Sequence, residues 1–302
     1  MGAIIKSTAF CPDQPGHSLI ENAAAAGEEC LAKAGLDKRD VDMLINVGVF
    51  RDHNILEPAM ATLIQQRMEI NISPTDIFCR TLAFDILNGA SGVLNAVQAV
   101  TAILLNQKNA IDPANALIVS SDVHPSKDII REFPYSTLGA AMLIEFSEDP
   151  GQGFQTIEQW TSPSSYLGIT ASLDITLHGL SSSKSISFQT ESDFEDRLFD
   201  FTVETLRDFL RRCRENQSIN HTELKLISTC PYKGFGSKLA KAMGLHDYPG
   251  EDLFERYGNP NSSALTVGYH EALTSGWIQN GDRVLFAAAG AGLTLSLGLY
   301  SS

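Results

Sequence analysis

Apolar positions along the chain alternate between helical spacing and short continuous runs. In residues 18–35 they recur at helical spacing up to Gly35, and residues 43–47 form a continuous apolar run of the length of a buried strand. The remaining segments of the first half read in the same way, as predicted helices at 58–66 and 89–105 and predicted strands at 81–87, 115–121 and 140–146. This alternation predicts an α/β protein.

The second half repeats the order of elements found in the first. Residues 147–165, rich in Gly, Pro, Ser and acidic residues, read as a linker or an edge region, and the polar stretch 176–196 is harder to assign. Beyond them lie predicted helices at 198–214, 234–244 and 262–276, and predicted strands at 224–230, 283–289 and 293–300. We therefore expect two similar α/β halves, 1–155 and 156–302, packed as layered sheets that share central helices.

Composition places the chain among globular proteins. It has 302 residues, 43% of them hydrophobic and 19% charged. The sequence has no apolar run long enough to span a bilayer, and residues 1–30 lack the layout of a signal peptide, so we expect a cytoplasmic protein. The net charge of −14 argues against nucleic acid or an anionic membrane as a main partner.

The cysteines point away from metal and disulfide chemistry. They are Cys11, Cys30, Cys79, Cys213 and Cys230, scattered and odd in number, with no C-x-x-C pair. Neither a zinc site nor a disulfide framework is indicated, and we expect buried, reduced thiols. The sequence also indicates no other metal and no resident cofactor.

One segment has the form of a nucleophile turn. The predicted strand 81–87 reaches small residues and then opens the predicted helix, with Ala90 at the turn. Backbone N–H groups at a helix N-terminus lower the pKa of a thiol and can hold an oxyanion. A cysteine would suit this position, but the residue is alanine.

Several motifs together resemble a known family. They are the helix-to-strand segment 32–45, the turn 84–92, the Gly-Asn pair Gly258 and Asn259, and the glycine-rich segment 290–294. In order and spacing they are similar to the thiolase-fold ketosynthases, specifically the ketosynthase III branch (β-ketoacyl-ACP synthase III-like proteins). The resemblance implies an αβαβα layered fold of two pseudo-repeated halves.

The resemblance also implies a catalytic triad, which this chain carries only in part. In the family a cysteine takes an acyl group from coenzyme A or a carrier protein, and a histidine and an asparagine help to decarboxylate the extender. The cysteine position is Ala90, the histidine position is Tyr232, and only the asparagine is retained, as Asn259. The family's aspartate is missing from 138–141. Asn259 also fits ordinary turn chemistry between glycine and proline.

Two further sets of residues enter as candidates. Backbone N–H groups at position 90 and near Gly292 would hold an oxyanion, although glycines here also suit a tight strand junction. Lys233, Lys238 and Lys241 form a basic stripe on an acidic chain. The stripe is either a solvated helix face or a docking patch for the phosphates of coenzyme A or for an acidic carrier protein.

Alternatives remain open at the missing triad positions. Ala90 is either native or a replacement for cysteine, and it also suits packing at a helix start. Tyr232 favours native loss, because replacing one cysteine would not alter the histidine. Ser91 as nucleophile, and His124 or His270 as base, are weaker substitutes, since Ser91 is turned about 100° from position 90 on a helix.

Two functional hypotheses follow. The first is an acyl-handling enzyme, an acyltransferase of fatty-acid or polyketide-type biosynthesis that transfers or condenses an acyl group, through a thioester on residue 90 if that residue is natively cysteine. The second is a non-catalytic subunit that stabilises an active homologous partner. By resemblance the expected assembly is a homodimer or heterodimer, with acyl coenzyme A or an acyl carrier protein as partner.

Overall fold

The computed structural model describes most of the chain. The described residues are 2–12, 17–72, 81–106, 115–125, 133–149, 151–172, 186–217 and 223–302. Cys79 and residues 173–185, which include part of the polar stretch 176–196, lie outside them.

The first half forms a five-stranded sheet with helices on both faces. Its elements are β1 (Gly2–Pro12), α1 (Leu19–Ala34), β2 (Met43–Asn46), α2 (Met60–Met68), β3 (Leu82–Asp85), α3 (Gly92–Asn106), β4 (Asn115–Ser121) and β5 (Leu138–Ser147). The strand order is β1-β5-β4-β2-β3, so β3 is an edge strand. Every element predicted for this half is confirmed.

Strand β1 was not predicted. It pairs antiparallel with β5, and the register shifts between Ile5 and Ser7. Such an irregularity breaks the two-residue alternation by which a strand is recognised in sequence. Lys6 and Ser7 interrupt the apolar run at the same place.

Capping residues at both ends of α1 explain why its bounds could be predicted from the sequence. The Ser18 side chain accepts a hydrogen bond from the Glu21 N–H, and Glu21 reaches back to the Ser18 N–H. This capping box satisfies two N–H groups that the helix leaves unpaired. At the other end Gly35 adopts φ 67°, a left-handed conformation that ends helices.

The second half forms a four-stranded sheet and a separate two-stranded ribbon. Its elements are β6 (Gly153–Thr161), β7 (Ile169–Ser172), β8 (Ser187–Thr190), α4 (Phe194–Gln217), β9 (Lys225–Ser228), α5 (Phe235–Met243), α6 (Leu253–Tyr257), α7 (Ala264–Thr274), β10 (Arg283–Gly290) and β11 (Thr294–Ser301). The order is β6-β11-β10-β9, and β7 pairs with β8. The predicted helices and strands from 198 onward are confirmed.

Residues 147–165 are corrected in part. The linker interpretation is wrong for Gly153–Thr161, because this strand, β6, pairs along its length with β11. The edge interpretation is confirmed, since β6 is the outermost strand of its sheet. The predicted division between residues 155 and 156 falls within this strand.

The two sheets share one pairing scheme. In each, a parallel pair (β2 with β4, β9 with β10) adjoins an antiparallel strand (β5, β11), which is followed by a second antiparallel strand (β1, β6). This repeat of topology is what the overlaid element order predicted.

Helices separate and cover the sheets, giving five layers. Helices α1 and α2 pack on the outer face of the first sheet, and α4 and α5 on the outer face of the second. Between the sheets lie α3 and α7, on which Val97 and Leu265, for example, are buried. The layering is αβαβα, as the resemblance implies. In the described part of the chain, no helix is long and apolar enough to cross a membrane.

Candidate active site

The turn at position 90 has the predicted form. After β3 ends at Asp85, a short 3₁₀ turn over Gly89–Ser91 runs directly into α3. Gly89 adopts φ 47°, and the Ser91 N–H donates to the Asn88 carbonyl at 3.0 Å. Ala90 is 8% exposed. It lies where a helix N-terminus presents backbone N–H groups and a partial positive charge.

A small cavity joins Ala90 to the second half of the molecule. Its volume is about 20 Å³, which is room for about one water molecule. The polar side chains in its wall belong to Tyr135, Thr229, Asn259 and Asn261. The structure therefore brings together two of the predicted site residues, Ala90 and Asn259.

Asn259 is held by bonds on several of its groups. Its Oδ1 accepts the Asn261 N–H at 3.0 Å, and its backbone carbonyl accepts the Ser136 N–H at 2.8 Å. Its Nδ2 lies 3.5 Å from the Pro231 carbonyl, a long contact. The Asn261 bond is what turn chemistry predicts, and the residue nevertheless lines the cavity.

Tyr232 is directed elsewhere. It belongs to the apolar cluster beneath α4 and α5, and its ring meets Phe235 edge-to-face at 5.3 Å between centroids. Burial raises the pKa of its phenol to about 12, with a contribution from Glu195. Pro231, its neighbour, lines the cavity instead. A phenol that stays protonated within a packed cluster cannot act as a base at neutral pH.

The glycine-rich segment contributes through its first residues. Gly290 and Ala291 line the cavity, and a Cβ placed on Gly290 would come within 3.0 Å of the Ala90 Cβ. Gly292 does not line it, and its N–H donates to the Leu167 carbonyl at 2.9 Å. In this arrangement the predicted oxyanion donor at Gly292 is already engaged.

The basic stripe lies outside the cavity. The Lys233 ammonium forms an ion pair with Glu255, and Lys238 Nζ lies 5.2 Å from the centre of the Tyr232 ring. Both lysines are exposed and close to the start of α5. Their predicted role in docking stays a prediction.

None of the three substitute residues lines the cavity. Ser91 is fully buried, and the His124 ring packs against Phe133 at 5.1 Å. His270 Nδ1 lies 3.0 Å from Thr8 Oγ1, where α7 meets β1. These placements fit structural roles for all three.

Sequence reasoning missed several polar residues of this region, among them Tyr135 and Asp122. Tyr135 lines the cavity from the loop before β5. Asp122, 1% exposed at the end of β4, accepts hydrogen bonds from Asn261 and Ser262 next to the cavity wall. An acid directly after a buried strand is a signal for Asp122, whereas no motif marks Tyr135.

Comparison with known proteins finds similarity to one family. Residues 235–300 match the family described as "3-Oxoacyl-[acyl-carrier-protein (ACP)] synthase III C terminal". A relative named "Beta-ketoacyl-[acyl-carrier-protein] synthase III" from Rickettsia bellii is 22% identical over 278 residues, covering 90% of this chain and 80% of the relative.

Two solved structures show the same fold. The 3-oxoacyl-[acyl-carrier-protein] synthase III from Aquifex aeolicus superimposes with a TM-score of 0.75 at 16% identity, covering 100% of both chains. The tetronic acid condensing enzyme AbyA1 superimposes with a TM-score of 0.78 at 15% identity, covering 99% of this chain and 100% of the other. The layered architecture is thus the thiolase fold.

Proposed function

Because the chain is a ketosynthase III-like protein of the thiolase fold, we propose that it handles acyl groups in fatty-acid or polyketide-type biosynthesis. It would bind the thioester of acyl coenzyme A or of an acyl carrier protein, in the cytoplasm and without a resident cofactor. This proposal extends to the chain what the names of its relatives describe.

The observation that carries the proposal is the cavity that joins Ala90 to Asn259. On one side lies the turn before α3, where the N–H groups of Ser91 and Gly92 are paired, which leaves that of Ala90 for a ligand. On the other side Asn259 carries a side-chain amide. Both are groups that polarise a carbonyl. Because the cavity is small, we propose a short-chain rather than a long-chain thioester as ligand.

The residue at position 90 decides the chemistry. With cysteine there, a thiolate would attack the thioester carbonyl, form a new S–acyl bond and release the thiol of coenzyme A or of the carrier protein as the leaving group. With alanine the chain has no sulfur at that point, and it binds and orients the thioester without a covalent link. Tyr232, buried in its apolar cluster, supports a role other than standard extender decarboxylation.

Lys233 and Lys238 are proposed to receive the donor's phosphates or an acidic carrier protein. They lie near the start of α5, close in sequence to Pro231 in the cavity wall. Lys233 is paired with Glu255. When the donor docks, Lys233 would leave this carboxylate and pair with a phosphate or with an acidic group of the carrier protein.

Calorimetric titration tests the binding proposal. We expect saturable binding of acetyl coenzyme A or acetyl carrier protein, and an unchanged intact mass after incubation. Ala90→Leu should abolish binding because the added carbons fill the cavity. Ala102→Leu, an exposed position on the same helix, is the matched control and should bind normally. The proposal fails if neither donor binds, or if Ala90→Leu binds as well as the parent.

A second candidate function is favoured by one surface. Among the strands that the structure describes, edge strand β3 pairs with β2 alone. Leu82 at its start and Leu87, two residues beyond its end, are 52% and 51% exposed. An apolar sheet edge of this kind invites pairing with another chain. The partner would be a second copy or, in a heterodimer, an active ketosynthase that this chain stabilises.

Sedimentation of the chain alone and with a co-expressed homologue separates these outcomes. A homodimer broken by Leu82→Lys supports self-association. A heterodimer in which only the partner acquires an acyl group supports the subunit role. A chain that stays monomeric and does not bind the homologue would contradict both self-association and the subunit role.

A further inference from the structure

We propose that Tyr135 is the hydrogen-bond donor that the cavity offers to the carbonyl oxygen of a bound acyl thioester. This inference rests on the proposed function and names a binding residue for it. Its starting point is that Tyr135 lines the same small cavity as Ala90 and Asn259.

The loop that carries Tyr135 is tied to the asparagine turn. The N–H of the next residue, Ser136, donates to the Asn259 carbonyl at 2.8 Å. On the other side of the turn, a Cβ on Gly258 would lie 3.3 Å from the Ser136 Cβ, so the two segments are in close contact. These contacts therefore hold Tyr135 and Asn259 at fixed positions relative to each other.

The ring of Tyr135 is held by aromatic neighbours. Its centroid lies 5.2 Å from that of Phe50 and 5.6 Å from that of Phe133, the latter edge-to-face at 85°. Phe188 of β8 contacts both phenylalanines, at 5.5 Å and 5.4 Å. Rings from three separate segments thus orient the phenol before any ligand arrives, which reduces the entropy lost on binding.

Two of the other polar side chains of the cavity, those of Thr229 and Asn261, are committed to protein partners, and that of Asn259 is committed in part. The Thr229 hydroxyl donates to the Ala289 carbonyl and accepts the Ala289 N–H, both at 2.9 Å. The Asn261 amide donates to Asp122 at 3.0 Å. The Asn259 carbonyl oxygen Oδ1 accepts from the backbone, and its Nδ2 has only a long contact.

Tyr135 differs from these residues. Its hydroxyl has no hydrogen-bond partner within the described part of the chain, although the residue is partly buried. The hydroxyl oxygen is itself accessible to solvent, and a thioester carbonyl that enters the cavity would replace water as its hydrogen-bond partner. Burial raises the pKa of Tyr135 to about 12, and the nearby Asp122 acts in the same direction. The phenol therefore remains protonated and can donate at any physiological pH.

The test compares two ligands that differ at the carbonyl. Acetyl coenzyme A carries the carbonyl oxygen, whereas S-ethyl coenzyme A has the same shape without it. We expect Tyr135→Phe to weaken binding of acetyl coenzyme A about 5- to 10-fold and to leave binding of S-ethyl coenzyme A unchanged. Tyr248→Phe, a tyrosine that contacts Trp277 away from the cavity, is the matched control.

A spectroscopic readout does not depend on the variant's affinity. The carbonyl of acetyl coenzyme A labelled with ¹³C should move downfield on binding to the parent protein, because a donor polarises it. That shift should stay constant between pH 6 and 9, whereas polarisation by a histidine would change near its ordinary pKa of about 6.5.

The failures of the two proposals are distinguishable. If the parent binds acetyl coenzyme A, and Tyr135→Phe binds both ligands equally well, Tyr135 is not the donor and the proposed function stands. If the parent shows no downfield shift, the inference fails in the same way. If the parent binds neither acetyl coenzyme A nor acetyl carrier protein, both proposals are overturned.

Discussion

The Ser262 hydroxyl donates to the Asp122 carboxylate at 2.6 Å, and this bond joins the two halves of the molecule. The other carboxylate oxygen accepts the N–H groups of Val49 and Phe50, each at 2.8 Å. Asp122 is 1% exposed. A buried carboxylate satisfied from both sides fixes the loop that carries Phe50 against the turn beside Asn261.

We expect Asp122→Asn to lower the free energy of unfolding by about 2–4 kcal/mol. An amide presents its own N–H groups to backbone donors, which leaves some of them buried and unpaired. Urea denaturation measures the loss. Asp149→Asn is the matched control on an exposed turn and should cost less than about 1 kcal/mol. Equal effects of the two substitutions would contradict the structural role given to Asp122.

The second prediction concerns Gly168, which is next to Leu167, the residue whose carbonyl accepts the Gly292 N–H. Gly168 adopts φ 70°, and a Cβ there would lie 2.9 Å from the Phe194 ring. Gly276 has nearly the same conformation, φ 74°, with nothing within 4 Å of the added carbon. Gly276→Ala therefore measures backbone strain alone, about 1 kcal/mol.

We expect Gly168→Ala to cost about 1–2 kcal/mol more than Gly276→Ala, since the ring must also move. The neighbouring Leu167 carbonyl holds the Gly292 N–H, so hydrogen exchange at the Gly292 amide should quicken in Gly168→Ala. If hydrogen exchange at the Gly292 amide is unchanged in Gly168→Ala, and the two variants are equally stable, this segment does not hold the Gly292 N–H in its bond to Leu167.

These contacts explain what could and could not be predicted from the sequence. The turn at Ala90 and the Gly-Asn turn at Asn259 can be recognised in the sequence, because small residues and the Gly-Asn-Pro run set the local backbone conformation. The orientation of Tyr232 has none, since a residue before a helix can face either the cavity or the apolar cluster.

Long-range contacts were equally hidden. The Tyr135 ring packs against Phe50, which in turn packs against Phe188, and both phenylalanines are distant from Tyr135 in sequence. The engagement of Gly292 depends on a backbone bond to Leu167, which no side-chain pattern records. Topology was predictable from element order, whereas the irregular strand β1 and the polar edge strand β6 lacked the alternation that marks strands.

Stability should fall in alkaline solution through two buried thiols. Burial raises the pKa of Cys30 to about 11, and burial together with Asp252 raises that of Cys230 to about 12. In the unfolded chain these thiols ionise near pH 8.5. Below that pH both states are protonated and stability is complete; above it the unfolded state loses protons first, and stability declines up to the folded pKa values.

Urea denaturation at intervals from pH 7 to 10 measures this decline. We expect a loss of about 2 kcal/mol per thiol by pH 10. The double variant Cys30→Ala, Cys230→Ala should be less stable at pH 7 because of the cavities, but its stability should vary less with pH. A parallel decline in parent and variant would contradict the linkage to these thiols.

Restoring a thiol at position 90 tests whether the site still accepts an acyl group. In Ala90→Cys the sulfur would lie at the start of α3, facing the cavity, where helix N–H groups lower a thiol pKa. At pH 7 a thiol with a pKa of about 11, such as Cys30, is thiolate in only about one molecule in ten thousand. We therefore expect iodoacetamide to modify the introduced thiol at least about 100-fold faster than Cys30 or Cys230, as peptide mass spectrometry would show.

The same variant should gain the mass of one acetyl group on incubation with acetyl coenzyme A, because the thiolate can then attack the bound thioester. Ala102→Cys, exposed on the same helix but away from its N-terminus, controls for accessible thiols. It should react with iodoacetamide at an ordinary rate and acquire no acetyl group. If Ala90→Cys reacts with iodoacetamide yet stays unacetylated, the turn still activates a thiol while the cavity no longer admits a thioester. That result would leave the subunit role as the better account of this chain.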